Sequence, residues 1–88
     1  MLVRYFAAAR AAAGVEEERH VLPEGTSLEA LLEAALAVER PLPPEGTPTL
    51  DRIVARSSFL RNEVAVRDRS APLGAQDVID VLPPFAGG

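Results

Sequence analysis

The stretch TSLEALLEAAL, residues 26–36, decides the fold that this sequence predicts. Thr26, followed three positions later by Glu29, is typical of the capping box at the start of a helix. The apolar residues then recur at helical spacing and form one face of about three turns. These positions are Leu28, Leu31, Leu32, Ala35 and Leu36. Pro41 is expected to stop the helix, and the apolar face must be buried against other structure.

Five β-rich stretches surround this helix and would provide that structure. They span 2–6, 16–22, 59–61, 64–66 and 77–82. A short helix is predicted at 7–13 and a helical turn at 49–55, and Asn62 with Glu63 would join two strands. This order predicts one α+β domain over residues 1–88: a β-grasp, ubiquitin-like mixed sheet packed on one long helix. The final strand would lie centrally and parallel to the first.

The composition limits the classes of function. The 88 residues carry a net charge of −4, which argues against nucleic acid as a partner, since phosphate contacts need a basic surface. Without cysteine and with one histidine, the sequence offers no thiolate nucleophile and no metal site. The acidic run 16–18 and His20 are expected at the surface. No secretion signal or apolar run of about 18 residues occurs, which predicts a cytoplasmic protein that does not bind membranes.

The stretch 83–88, PPFAGG, follows the final strand. Its two prolines would end the hydrogen-bond ladder and stiffen the exit. Ala86, Gly87 and Gly88 have almost no side chains, so the tail suits a narrow site where a Cβ would clash. Extended from Pro84, the tail reaches about 16 Å at roughly 3.3 Å per residue. We therefore expect a flexible tail at 83–88 that carries the Gly88 carboxylate into a site on another protein.

A carboxylate must be activated, typically as an acyl-adenylate, before it accepts sulfur or an amine. Activation uses ATP and needs phosphate-binding machinery such as a glycine-rich loop. The glycines of this chain form no such loop. The activating enzyme is therefore expected to be a separate protein that uses the ATP, and this chain is expected to bind no cofactor.

The sequence closely resembles the MoaD family, the small subunits of molybdopterin synthase, and the related thiamine sulfur carriers. The similarity covers nearly the whole chain and is most specific in DVLPPFAGG, residues 80–88. Residues 3–7, the turn at Asn62 and residues 72–77 are similar as well. The chain length and the Pro83-Pro84 pair favour the molybdopterin type over the thiamine type.

The resemblance implies that Gly88 is adenylated by a ubiquitin-activating-type adenylyltransferase and converted to a thiocarboxylate. The tail would then enter the large subunit of molybdopterin synthase and donate sulfur to cyclic pyranopterin monophosphate in molybdenum cofactor biosynthesis. The chain would thus be a sulfurtransferase subunit without catalytic side chains. Two alternatives stay open: a sulfur carrier for thiamine or cysteine synthesis, or a ubiquitin-like modifier that links Gly88 to lysines.

Apolar residues of the strands are candidates for docking to a partner. By strand alternation, Phe6 and Leu82 point away from the predicted core. Either Phe59 or Leu60 should join them, with its neighbour in the core, and alternation alone does not decide which. An exposed apolar patch of this kind is typical of a protein-binding surface. Phe85, in the tail, is expected to anchor in the partner.

Overall fold

A computed structural model of the chain describes residues 1–84. The elements in chain order are β1 Leu2–Tyr5, α1 Ala8–Ala13, β2 Glu17–Arg19, α2 Leu28–Leu36, α3 Leu50–Val54, β3 Ser58–Arg61, β4 Val64–Ala65 and β5 Val78–Leu82. The predicted α+β class is confirmed. The short helix predicted at 7–13 and the helical turn predicted at 49–55 are present as α1 and α3, with six and five residues. The one long helix is not confirmed, because α2 has only nine residues.

The five strands form one mixed sheet in the order β2-β1-β5-β3-β4. The final strand β5 is central and runs parallel to β1, in a register that pairs Leu2 with Val78 and Tyr5 with Val81. All other neighbours are antiparallel. This β-grasp arrangement confirms the predicted position of the last strand and gives it a hydrogen-bonded neighbour on each side.

Helix α2 begins one residue later than the capping box predicts. Ser27, not Thr26, is the N-cap, and its hydroxyl accepts a hydrogen bond from the Ala30 N–H at 3.1 Å. Thr26 is occupied by the preceding turn, because its hydroxyl donates to the Pro23 carbonyl at 2.6 Å. The helix ends at Leu36, before Pro41 could stop it. Leu36 lies at the rim of the apolar face and is 39% exposed, so it is not part of the buried stripe.

The core lies between the sheet and the helices. Its strand residues alternate along β1, β3 and β5, and its helical residues come from the apolar face of α2 and from α3. The most deeply buried side chains are Leu28, Leu31, Ile79, Val3 and Val81. Burying such a side chain fully contributes about 1.5–3 kcal/mol relative to leaving it exposed, so this layer holds the helices on the sheet.

Two short connections agree with the sequence. Gly14 ends α1 in the left-handed conformation, with φ of 79°, where glycine avoids a Cβ clash. Asn62 and Glu63 form the tight turn between β3 and β4, with φ of 49° and 72°.

Strand β2 is shorter than the predicted 16–22, because its partner β1 begins at Leu2 and leaves no strand for later residues to pair with. Within residues 1–84, no helix has the length and hydropathy needed to cross a membrane.

Candidate docking face and base of the tail

The sheet has an inner face, which carries the core, and an outer face that no helix covers. Phe59 is 3% exposed and lies in the core, so of the two alternatives Phe59 is the core residue and Leu60 is the one left for the outer face. Its neighbour Leu60 points to the outer face and is half-buried. The reason is register: Phe59 pairs with the core residue Val81, whereas Leu60 pairs with Asp80.

The outer apolar patch consists of Phe6, Leu60 and Leu82. Phe6 follows β1 and is 41% exposed, and Leu82 ends β5 half-buried. Because Tyr5 pairs with Val81, the parallel register brings Phe6 alongside Leu82. The structure thus brings the three residues to one face, as strand alternation predicts for Phe6 and Leu82. That the patch docks a partner stays a prediction.

An ion pair lies beside this patch, and sequence reasoning missed its importance. The carboxylate of Asp80 accepts hydrogen bonds from Arg4 Nε at 2.5 Å and from Arg4 Nη2 at 2.9 Å. Asp80 is only 4% exposed although it faces outward. The Arg4 side chain is 37% exposed, and its Cζ lies 6.0 Å from the centroid of the Phe6 ring. The available signal was Asp80 itself, the one charged residue in the apolar stretch 78–82.

The base of the predicted tail is the end of β5. Leu82 is the last residue of the strand and pairs with Ser58 on β3. Pro83 is half-buried and Pro84 is exposed, in agreement with prolines that end the ladder. The predicted tail residues Phe85, Ala86, Gly87 and Gly88 lie outside the described residues, so their roles, and the flexibility of 83–88, stay predictions.

A buried polar cluster lies on the other side of β1, at the edge of the core. Arg40 Nη2 donates to Glu18 Oε1 at 2.5 Å, and Nη1 donates to Glu18 Oε2 at 3.0 Å. The Tyr5 hydroxyl donates to Glu18 Oε1 at 2.6 Å, and His20 Nε2 lies 3.0 Å from the same oxygen. The side chains of His20 and Glu18 are 12% and 17% exposed, so the prediction that they lie at the surface is wrong.

The electrostatics of the cluster favour an ionised Glu18. Burial alone would raise the pKa of Glu18, but hydrogen bonds from Arg40, Tyr5 and His20 outweigh burial and lower this pKa to about 2. Burial, together with the bond to Glu18, raises the pKa of Tyr5 well above its ordinary value. Arg40 also donates to the main-chain carbonyls of Ala13 and Ala35, near the C-terminal ends of α1 and α2. These contacts join β2 to both helices and to the proline-rich loop, which is a structural role.

The described residues offer little chemistry of their own. No group of three or more His, Asp or Glu side chains within residues 1–84 could hold a metal ion. The His20 ring lies 3.0 Å from Glu18 Oε1 and is 12% exposed, so it is a poor candidate for a general base. The outer apolar patch and the base of the tail are therefore the features most relevant to function.

Comparisons with known proteins agree with this geometry. The model of the ThiS family matches residues 3–88. A relative from Chlamydomonas reinhardtii, named molybdopterin synthase sulfur carrier subunit, is 34% identical over 98% of this chain and 95% of its own length. A solved structure from Pyrococcus furiosus, described as putative molybdopterin converting factor, subunit 1, has a TM-score of 0.71 at 28% identity and covers 96% of this chain and 95% of its own.

A second solved structure supports the fold alone. The small archaeal modifier protein 1 of Haloferax volcanii has a TM-score of 0.70 at 19% identity, and the match covers 97% of each chain. The β-grasp architecture is thus shared with a protein whose name describes a modifier.

Proposed function

This chain belongs to the ThiS family, and we propose that it is the sulfur carrier subunit of molybdopterin synthase. The observation that carries the proposal is the full-length similarity to a sulfur carrier subunit of that enzyme, at 34% identity. The solved structure described as a molybdopterin converting factor subunit supports the same choice within the family.

The proposed chemistry takes place at the carboxylate of Gly88. A carboxylate oxygen attacks the α-phosphorus of ATP in a separate adenylyltransferase of the ubiquitin-activating type, and pyrophosphate leaves. A hydrosulfide nucleophile supplied by a partner then attacks the acyl carbon, the C–O bond to AMP breaks, AMP leaves, and a thiocarboxylate remains. In the large synthase subunit, this sulfur is transferred to cyclic pyranopterin monophosphate, and water restores the carboxylate. The chain contributes the acyl group and its delivery, and it binds no cofactor.

The fold suits this delivery. Strand β5 is paired with β1 up to Val81 and with β3 up to Leu82, so the segment that follows starts from a fixed point. The sequence from Pro84 to Gly88 can extend about 16 Å from there, at roughly 3.3 Å per residue. We propose that Gly87 and Ala86 let the tail pass a narrow entrance, and that Phe85 anchors it in the partner.

Docking is proposed to use the outer apolar patch. The patch lies on the outer face of the sheet, and one of its residues, Leu82, is the last residue of β5 before the tail. A partner that binds Phe6, Leu60 and Leu82 would therefore lie near the start of the tail and could receive Gly88. The large synthase subunit and the adenylyltransferase would each bind here in turn. The net charge of −4 makes nucleic acid and anionic membranes poor partners. Because ATP-dependent activation precedes transfer, we propose a cytoplasmic location.

Intact mass spectrometry tests the proposal. The chain is co-expressed with the adenylyltransferase and a sulfur donor of its own organism, and a mass gain equal to exchanging one oxygen for sulfur is expected. The loaded protein is then incubated with the large subunit and cyclic pyranopterin monophosphate, and molybdopterin should form. A variant that lacks Gly88 is the control and should show neither result.

The same experiment separates the alternatives. Loading without pterin sulfuration, but with transfer in a thiamine or cysteine synthesis assay, would assign the chain to another carrier pathway. Branched peptides with a Gly-Gly remnant on lysine, without a thiocarboxylate, would make it a modifier. Either result contradicts the proposed function.

A further inference from the structure

The Arg4–Asp80 ion pair lies at a position where removing the Asp80 charge from water costs free energy. Asp80 is the one charged residue of β5, the central strand, and it is 4% exposed. Removing such a carboxylate from water is expensive, and replacing a buried ion pair with apolar residues is often neutral or stabilising. Stability alone therefore does not explain a charged pair in which Asp80 lies opposite Leu60 of the outer apolar patch and Arg4 lies at the border of the patch.

The geometry leaves one edge of the guanidinium without a protein acceptor. The Asp80 carboxylate accepts hydrogen bonds from Arg4 Nε and from one N–H of Arg4 Nη2. A guanidinium has five N–H donors, so these two bonds do not use all of them. Within residues 1–84, Nη1 has no hydrogen-bond acceptor, and the side chain is 37% exposed. The bidentate contact and the Phe6 ring below fix the orientation of this edge before any partner arrives.

We propose that the free edge of Arg4 is a recognition point beside the outer apolar patch, next to Phe6, and that it donates to an uncharged carbonyl oxygen of the large synthase subunit. The inference rests on the proposed docking of this patch. A partner that covers the patch removes water from Nη1, and a buried donor without an acceptor is costly. A partner surface that is apolar throughout would therefore bind less well than one with a carbonyl at this point.

The nearby charges favour an uncharged acceptor over a carboxylate. Glu17 lies opposite Arg4 in the register of β1 and β2, and Asp80 lies opposite it on β5. The guanidinium thus contacts the Asp80 carboxylate and also lies within the electrostatic reach of Glu63 and Glu17. A further carboxylate from the partner would be repelled by these groups, whereas a main-chain or amide carbonyl would not.

The test compares folding and binding in a variant that removes both charges. Arg4→Met/Asp80→Val leaves no orphaned charge, so its urea midpoint is expected to be equal to or higher than that of the wild type. Its dissociation constant for the large synthase subunit, measured by calorimetry, should rise about tenfold or more. Arg4→Lys keeps the charge but lacks the planar fork and should also weaken binding. Arg52→Met, at an exposed position on α3 in the helix layer, is the matched control and should bind like the wild type.

Three outcomes would overturn the inference. The first is a double variant that binds the large subunit as tightly as the wild type or more tightly. The second is a double variant that loses affinity only because it self-associates, which sedimentation velocity would detect. The third is a loss of affinity that shrinks steeply with added salt, because a charged acceptor is screened and a carbonyl is not. Absence of binding by the wild type itself would instead contradict the docking in the proposed function.

Discussion

Replacing Arg40 with methionine is expected to lower the free energy of unfolding by about 3 kcal/mol at pH 7. The Arg40 side chain is 11% exposed and meets both oxygens of Glu18. It also donates to the carbonyls of Ala13 and Ala35, at 3.1 Å and 2.9 Å. Methionine keeps most of the apolar stem but none of these donors, so the change removes the polar contacts selectively.

The magnitude follows from two contributions. The pKa of Glu18 falls from an ordinary 4.5 to about 2 in the folded protein. At roughly 1.4 kcal/mol per pKa unit this would be about 3 kcal/mol for all its partners together, and solvent screening leaves Arg40 a share of about 1–2 kcal/mol. The two lost bonds to main-chain carbonyls cost about the same again. For a domain of this size, the melting temperature should fall by about 15 °C.

The destabilisation should depend on pH in a defined direction. Glu18 has a depressed pKa in the folded state, so its contribution is complete above about pH 4.5 and is lost as the pH falls toward about 2. Without Arg40, less of that contribution exists to be lost. The difference in unfolding free energy between wild type and Arg40→Met should therefore narrow by about 1 kcal/mol between pH 7 and pH 3.

Urea denaturation followed by circular dichroism at the two pH values measures both effects. Arg56→Met is the matched control, because Arg56 is exposed and should change stability by less than about 0.5 kcal/mol. A double-mutant cycle with Glu18→Gln should give a coupling energy of about 1–2 kcal/mol. If Arg40→Met costs no more than Arg56→Met, or costs the same at both pH values, the structural reasoning about this cluster is wrong.

Three further predictions concern the tail, the docking face and a turn. Removal of Gly87 and Gly88 should abolish sulfur transfer without changing the melting temperature, because the helices and strands of the described residues 1–84 all lie within 2–82; a shifted melting temperature would contradict this. Leu60→Ala should weaken binding to the large subunit with little loss of stability. The core substitution Phe59→Ala should lower the free energy of unfolding by about 3–5 kcal/mol. The reverse pattern would contradict the assignment of Leu60 to the docking face. Glu63→Gly should raise the free energy of unfolding by about 0.5–1 kcal/mol, because the φ of 72° at this position suits glycine. Urea denaturation measures this change, and a lower free energy of unfolding in the variant would contradict the prediction.

Strand alternation predicted much of the sheet because its period is fixed by the backbone. Val3 and Tyr5 share the inner face, and Phe6 lies outside the core as predicted. The same rule could not choose between Phe59 and Leu60, since both are large and apolar. That choice depends on the register with β5, which places Phe59 opposite Val81, and register is a long-range property that local sequence does not contain.

The polar cluster was missed for a related reason. Arg40 and Glu18 are separated by 22 positions, and no local pattern links the proline-rich loop to an edge strand. Arginine and glutamate are residue types that mostly lie at the solvent-exposed surface, so neither residue alone indicates burial. A weak signal was present, since Glu18, His20 and Leu22 share the strand face that looks toward the core. The cap of α2 shows the same limit on a smaller scale: Thr26 and Ser27 are both good caps, and the contact of Thr26 with Pro23 decides between them.

Strand β1 links the buried cluster around Glu18 to the outer face of the sheet, because neighbouring residues of this strand make contacts on opposite faces. Tyr5 donates to Glu18 in the buried cluster, whereas Arg4 holds Asp80 on the outer face. A slip of one residue between β1 and β5 would exchange these faces, bury Arg4 in the core and expose Tyr5. The cluster around Glu18 resists such a slip, since it ties Tyr5 to β2 and to Arg40. The buried contacts therefore stabilise the register that also sets the position of the outer apolar patch and the start of the tail.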